Sequence, residues 1–398
     1  MKKILLLLIG LVVGLAIGFN LPRGAGLVAT LASIGASPAE DYSRLESHQA
    51  FLDLQAAVDE GRKMVLRDAR TEQEAIEGMR WLLRVLAMSS EVAGDSNPSL
   101  PHFQRMDTHV RKVGGDNPDA EYLHAQIDGK HDYIITGNIG TVRYLGVTVN
   151  AGLGWSQRRQ VGYLSDQTMT VDEQGNFTIL LTKNKPDVPG DWIQIPDDAS
   201  GVLVRQYIAD RSEEALPTMD IRVFGETLPF APPSDDAVAN ALKGAAFSFF
   251  GLSNLHTLVF PELLEVHNEF FKATSEILGG DISGADNLYM LGSYQLADDE
   301  ALVIRAKPPE TRYWNLVLET RWHEILDHRY RPVSLTLEGA EYNDDGSVEF
   351  IVSHQDPGRP NWLYTSGHNF GFMTLRWLDG KYDEVDLPET EVVKFDSL

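Results

Sequence analysis

Val142-Arg143-Tyr144-Leu145-Gly146-Val147-Thr148-Val149 is the stretch that decides the fold. β-Branched and aromatic residues fill it, and such side chains suit a pleated, half-buried surface. From about Asp116 onward the apolar period is two, that of a strand. The same texture returns at Phe177–Thr182, Gly201–Ile208 and Asp220–Phe224. Turn chemistry separates the runs, in Asp172-Glu173-Gln174-Gly175-Asn176 and from Pro186 to Gly190. Short strands so punctuated predict an antiparallel β-sandwich over residues 116–228. A second β block is expected over 285–380, from Ala301–Ala306, Tyr313–Thr320, Val333–Leu337, Val348–His354 and Phe372–Leu378. Asn343-Asp344-Asp345-Gly346 is its hairpin signal. No short solenoid-type repeat is present, and the two β blocks show no duplication at the level of sequence.

Helical spacing precedes and separates these blocks. Residues 41–95 read as a helical pair. Phe51, Leu54, Val58 and Val65 form the stripe of the first helix; Ile76, Met79, Leu83 and Leu86 form that of the second. Thr71 and Glu74 stand at capping-box spacing, where each side chain satisfies an orphan backbone N–H. Gly94–Pro101 ends the pair. A helical linker is expected over 234–279: Ser234 caps Asp235–Phe250, with Gly251 as the stop. Pro261 then opens a second helix carrying Leu264, His267, Phe271, Thr274 and Leu278 on one stripe, ended by Gly279. On that stripe His267 reads as a satisfied core histidine.

Composition narrows the function. The 398 residues suffice for two or three domains, with 43% hydrophobic and 23% charged content to build real cores. A net charge of -24 repels a phosphate backbone and disfavours anionic headgroups, so nucleic acid is excluded as a partner. With no cysteine there is no disulfide, thiolate metal site or cysteine nucleophile. Lys2 and Lys3 precede an apolar run from Ile4 to Phe19, the pattern of an export signal. As a helix it spans roughly 24 Å of a ~30 Å hydrocarbon core, and Asn20 and Leu21 nearly close the gap. Residues 1–21 are expected to remain as a membrane anchor, lysines inside and body outside, in the periplasm or extracellular space. The alternative is secretion after cleavage at Ala16-Ile17-Gly18, or at the more distant Ser37-Pro38-Ala39. Residues 22–40, small and weakly apolar, read as a spacer.

Three motifs stand in order in the C-terminal block. They are Arg312-Tyr313-Trp314; Asp327-His328-Arg329-Tyr330-Arg331-Pro332-Val333-Ser334-Leu335; and His354-Gln355-Asp356-Pro357-Gly358-Arg359-Pro360-Asn361-Trp362-Leu363 with Gly367-His368. Over about 285–380 the chain resembles the family catalogued as domain of unknown function 1214. Asp116-Asn117-Pro118-Asp119 with Tyr122, and Val204-Arg205-Gln206-Tyr207, are similar to the region upstream of it in some members. The resemblance implies jelly-roll-like β domains and supplies no established catalytic residues to carry over. The fold expected is therefore mainly β with helical segments (α+β): two antiparallel jelly-roll-like sandwiches, an N-terminal helical pair and a helical linker.

Candidate chemistry sits in the same block. His354, Asp356 and His368 offer the residue types of a 2-His-1-carboxylate set, though the spacing is short for that arrangement. Asp356-Pro357-Gly358 also reads simply as turn chemistry. His354 continues the inward row of Val348, Phe350 and Val352 and is expected to meet His368 at a cleft rimmed by Trp362 and Arg376. Trp314, Trp322 and Trp362 lie near Arg312, Arg329, Arg331 and Arg376; stacking and bidentate hydrogen bonds make Trp362, Arg376, Arg331 and Trp322 the ligand-binding candidates. Trp314, alternating with Leu316 and Leu318, reads as core. No His-Glu-x-x-His, P-loop or nucleophile elbow is present, and no cofactor is implied. Two functions are expected to compete. One is an exported, membrane-tethered binding or accessory module for a carbohydrate or small amphipathic ligand. The other is an envelope hydrolase or metal-assisted enzyme using His354, Asp356 and His368. Oligomeric state is not legible.

Overall fold

The structure is a computed structural model describing residues 41–94, 96–152, 158–225, 232–258, 261–273 and 287–398. The Ile4–Phe19 run and the 22–40 spacer lie outside them. Among the described residues, no helix is long and apolar enough to cross a membrane.

The first β block contributes β1 (Gln104–Arg105), β2 (Ala120–Gln126), β3 (Tyr133–Asn138), β4 (Tyr144–Ala151), β5 (Arg159–Ser165), β6 (Asn176–Thr182), β7 (Asp191–Gln194), β8 (Ala199–Tyr207) and β9 (Thr218–Val223). The second contributes β10 (Glu269–Lys272), β11 (Asn287–Gln295), β12 (Glu300–Ala306), β13 (Trp314–Glu319), β14 (Ser334–Thr336), β15 (Val348–Ser353), β16 (Trp362–Tyr364), β17 (Phe370–Leu378) and β18 (Glu389–Lys394). The first makes a sheet ordered β1-β2-β8-β4-β5 and another ordered β7-β6-β3-β9. The second repeats both, as β10-β11-β17-β13-β14 and β16-β15-β12-β18. Every strand of one block has its counterpart nine strands on, and even the lone parallel pairing recurs, β6 with β7 and β15 with β16. The duplication invisible in the sequence is explicit in the topology. The mainly β fold of two antiparallel sandwiches is as expected.

Each sandwich closes on its own core. Ile135, Val147, Ile179 and Val204 lie in the first; Leu302, Leu316, Phe350 and Leu375 lie in the second. Strands β4, β13 and β17 are buried at every position, so the outer faces of the five-stranded sheets are covered as well. A stack of Tyr144, Tyr207 and Tyr313, with ring centroids 5.0 and 4.9 Å apart, joins the two sandwiches.

Helices α1 (Glu46–Asp68), α2 (Glu72–Ser89), α3 (Asp235–Ser253) and the short α4 (Leu255–Leu258) form a separate layer. Thr71 accepts the Glu74 N–H at 3.1 Å, the expected cap. Glu74 itself turns to the Arg70 N–H at 2.6 Å and to Arg321 at 2.9 Å, so the reciprocal half of the box serves the ion pair instead. The expected stripe on α2 is corrected: Ile76 and Leu83 are 63% and 70% exposed, while Trp81, Leu82, Val85 and Met88 are buried. Trp81 stacks on Trp322 at 5.6 Å, and that contact sets the rotation of the helix. Ser234 caps α3 through the Ala237 N–H, but the helix runs past Gly251 to Ser253. The helix expected from Pro261 is also corrected. Pro261–Leu264 is one 3-10 turn, Asn268 takes φ 62°, and Glu269–Lys272 pairs with β11 instead. Its Thr274 and Leu278 lie outside the described residues. His267 is satisfied by Ser293 at 2.9 Å.

Candidate functional site

A cavity of about 430 Å³ lies where the five-stranded sheets of the two sandwiches meet the helical layer. Strand alternation decides what faces it. On β8, Val202 and Val204 enter the first core, so Leu203 and Arg205 face outward into the cavity. On β2, Tyr122 and His124 face the same way. On β17, Met373, Leu375 and Trp377 belong to the second core, while Phe372, Thr374 and Arg376 line the cavity, with Tyr289 and Leu291 of β11 beside them. The helical layer supplies Met88, Val92, Phe247, Leu252, Leu255 and, just beyond, Leu263. The walls are thus apolar except for a polar cluster on the sheets.

The loop from Asp107 to Asn117 ties that cluster to the second sandwich. Arg376 donates through Nη2 to the Gly115 carbonyl at 2.6 Å and through Nη1 to Asn315 Oδ1 at 3.4 Å. Both partners are neutral, and its buried Nε has none among the described residues. Asp116 accepts the Ile325 N–H at 2.9 Å, and the buried Lys112 donates to the Ile325 and Leu326 carbonyls at 3.0 and 3.1 Å. Asn117 and Asp119 accept hydrogen bonds from Asn315 Nδ2 at 2.8 and 3.1 Å. Asp116-Asn117-Pro118-Asp119 is therefore the seam onto the C-terminal sandwich.

Glu319, fully buried, receives Thr374 Oγ1 on one carboxylate oxygen at 2.6 Å and His323 Nδ1 on the other at 3.0 Å. Burial alone would raise its pKa, but the His323 hydrogen bond and the charges of His323 and Arg376 hold it below the usual range. Gly115, beside the Glu319 carboxylate, takes φ 72°, a backbone conformation that L side chains rarely adopt. His323 takes φ 53° and stacks on Phe372 with centroids 4.1 Å apart. A carboxylate–imidazole pair so fixed can hold or pass a proton at the cavity wall. Burial pushes Asp107 up to about 6 and Asp116 well above its ordinary value, which weakens their negative charge, and it pushes His124 down to about 4.

Of the residues singled out in the sequence, Arg376 lines this cavity. His354 and His368 do converge, on Thr365: His354 Nδ1 lies 2.7 Å from its hydroxyl and His368 Nδ1 lies 3.0 Å from its carbonyl. His368 Nε2 is sealed against Glu77 of α2 at 2.8 Å. Asp356 is exposed and accepts the Gly358 N–H at 2.7 Å, closing its own turn. No group of metal-ligating side chains is found among the described residues, so these three are not gathered around one ion. None of them lines the cavity. Trp362 and Arg331 meet at Tyr364, at 5.6 and 5.4 Å, again away from the cavity. Trp322 is 1% exposed and donates to the Glu74 carbonyl at 2.9 Å, a core role. Trp314 is core, as its alternation implied. Sequence chemistry missed Tyr289, Glu319, His323 and Thr374. Tyr122 and Arg205 were visible only within the upstream resemblance.

The fold and site define a duplicated β-sandwich protein with a helical layer and, between its halves, a largely apolar cavity holding one polar cluster. Residues 294–381 match the family described as "Protein of unknown function (DUF1214)". A solved structure of an uncharacterized protein from Burkholderia cenocepacia is similar over 88% of this chain and 98% of its own, at 28% identity and TM-score 0.82. The VPA0106 protein from Vibrio parahaemolyticus covers 86% of this chain and is itself covered fully, but at 12% identity and TM-score 0.49 it carries no argument. No curated protein matches the chain.

Proposed function

We propose that this chain is an exported, membrane-tethered binding module that takes a small amphipathic ligand into the cavity between its two sandwiches. The observation that carries the reading is the cavity itself. Its volume of about 430 Å³ is that of a small-molecule site, and a few convergent polar groups sit in an otherwise apolar wall. Leu252, Leu255, Leu263 and Leu291 offer no partners for a sugar's hydroxyls, which favours an amphipathic molecule over a carbohydrate. Export rests on Lys2-Lys3 ahead of Ile4–Phe19 and on the acidic body behind them.

Leu203 lines the cavity and is 8% exposed, so Leu203→Trp fills space without removing a polar partner. Calorimetric titration with decanol should show binding to the wild-type chain and none to Leu203→Trp, with both melting cooperatively. Unchanged binding by the filled variant would place the ligand elsewhere and end the reading. For topology, a reporter fused after Leu398 should be active only in the exported compartment; cytoplasmic activity would remove the tethering half.

A further inference from the structure

The two sandwiches deliver the same pair of side chains to the cavity from matching positions. In the first, Tyr122 on β2 stands opposite Arg205 on β8. In the second, Tyr289 on β11 stands opposite Arg376 on β17. These strands occupy equivalent places in the repeated sheet order, so the two pairs are related by the duplication. Third neighbours correspond too: Gly146 on β4 lies opposite Arg205, and Asn315 on β13 lies opposite Arg376. The Arg376 guanidinium lies over the Tyr289 ring, 5.7 Å from its centroid. Tyr122 is within electrostatic reach of Arg205, Arg376 and Tyr289 together, so the four side chains form one cluster.

The cluster brings two guanidinium groups together at the cavity wall. Arg205 and Arg376 are 4% and 3% exposed, in a protein of net charge -24 whose surface offers abundant carboxylates. Burying a guanidinium is costly unless an anion meets it. Yet the partners of Arg376 are a carbonyl and an amide oxygen, and its Nε meets nothing among the described residues. Of the nearby acids, Glu319 faces Arg376 electrostatically but makes no hydrogen bond to it among the described residues. His323 and Thr374 occupy both oxygens of Glu319. Asp116 is engaged by the Ile325 N–H, and burial drives both it and Asp107 toward the neutral acid. The exposed Arg158 adds positive charge to the same cavity.

We infer that the duplicated Tyr122–Arg205 and Tyr289–Arg376 pairs hold the carboxylate of the ligand, which is a monocarboxylic acid with an apolar body. The inference rests on the amphipathic-ligand reading above and deepens it. A carboxylate is planar and matches the guanidinium fork, while two tyrosine hydroxyls can donate to its remaining lone pairs. Leu203, Leu291 and Phe372 continue the wall beyond the arginines and suit a hydrocarbon.

The test titrates the full chain with decanoate, decanol and decyl phosphate, which share a tail and differ at the head. Decanoate should bind about tenfold tighter than decanol, the difference one charge-assisted contact supplies. In Arg376→Met that preference should fall to about threefold or less, with decanol affinity unchanged. Should Arg376→Met fail to fold, the wild-type comparison decides alone. Equal binding of decanoate and decanol would overturn the inference and leave the amphipathic reading standing. Decyl phosphate binding tighter than decanoate would overturn the carboxylate assignment. Binding of none of the three would overturn the inference and the amphipathic reading together.

Discussion

His368 shows how one residue can carry tertiary structure while looking like chemistry. Burial alone would lower its pKa, but the Glu77 hydrogen bond and charge outweigh that and raise it above 6.5. Glu77 is the mirror case: burial would raise it, and His368 draws it below 4.5. The raised histidine contributes stability that is complete below pH 6.5 and is lost as pH climbs through the folded value. The lowered glutamate contributes stability present above pH 4.5 and lost as pH falls through its folded value. The pair therefore holds α2 to the second sandwich most firmly between those two limits. Glu77→Gln should cost about 1–3 kcal/mol at pH 5.5 and clearly less at pH 8.5, read by urea unfolding at both. An equal loss at both would show that the ion pair does not carry the contact. The sequence displayed His354 and His368 as a possible site because residue type and spacing were all it offered. It could not show that Glu77, nearly three hundred positions away, had taken the imidazole.

At the scale of elements, strands proved more legible than helices. Alternation located β4, β6, β8, β12, β13, β15 and β17 because one face of each enters a sandwich core. Spacing leaves the rotation of α2 open: Met79 and Leu86 of the expected stripe do pack on the helical core, Ile76 and Leu83 do not, and the Trp81–Trp322 contact decides. The region after Pro261 failed for a related reason: Phe270 and Phe271 suit a helix face or a strand, and pairing to β11 settled the matter. Close approach fixes the α2 packing. A Cβ on Gly78 would lie 2.6 Å from Val65 Cγ1 of α1 and 2.8 Å from Trp322 Cε2. Gly78→Ala gains helix propensity but should still lose about 1–3 kcal/mol through that overpacking. Denaturant midpoints check it, and an unchanged or higher midpoint would mean that the helix shifts freely on the sandwich.

At the scale of the whole molecule, a duplicated fold has put its two outer sheet faces to use. In a lone sandwich the polar members of an alternating strand face water, so alternation alone singles out neither Arg205 nor Arg376 as cavity-facing. Here those faces are buried a second time, beneath the partner sandwich and the helical layer, and the alternation that hid the arginines is what aims them into one cavity. The tyrosine stack beside them gives about 0.5–1.5 kcal/mol per ring pair beyond burial and keeps the halves in register. The central claim is that this cavity seats an amphipathic acid by its carboxylate. A crystal structure of the full chain soaked with 10-bromodecanoate tests it most directly. Carboxylate density is expected between Arg205 and Arg376, with the bromine's anomalous peak among Leu252, Leu255 and Leu263. Bromine signal only outside the cavity, or a carboxylate turned away from both arginines, would contradict it.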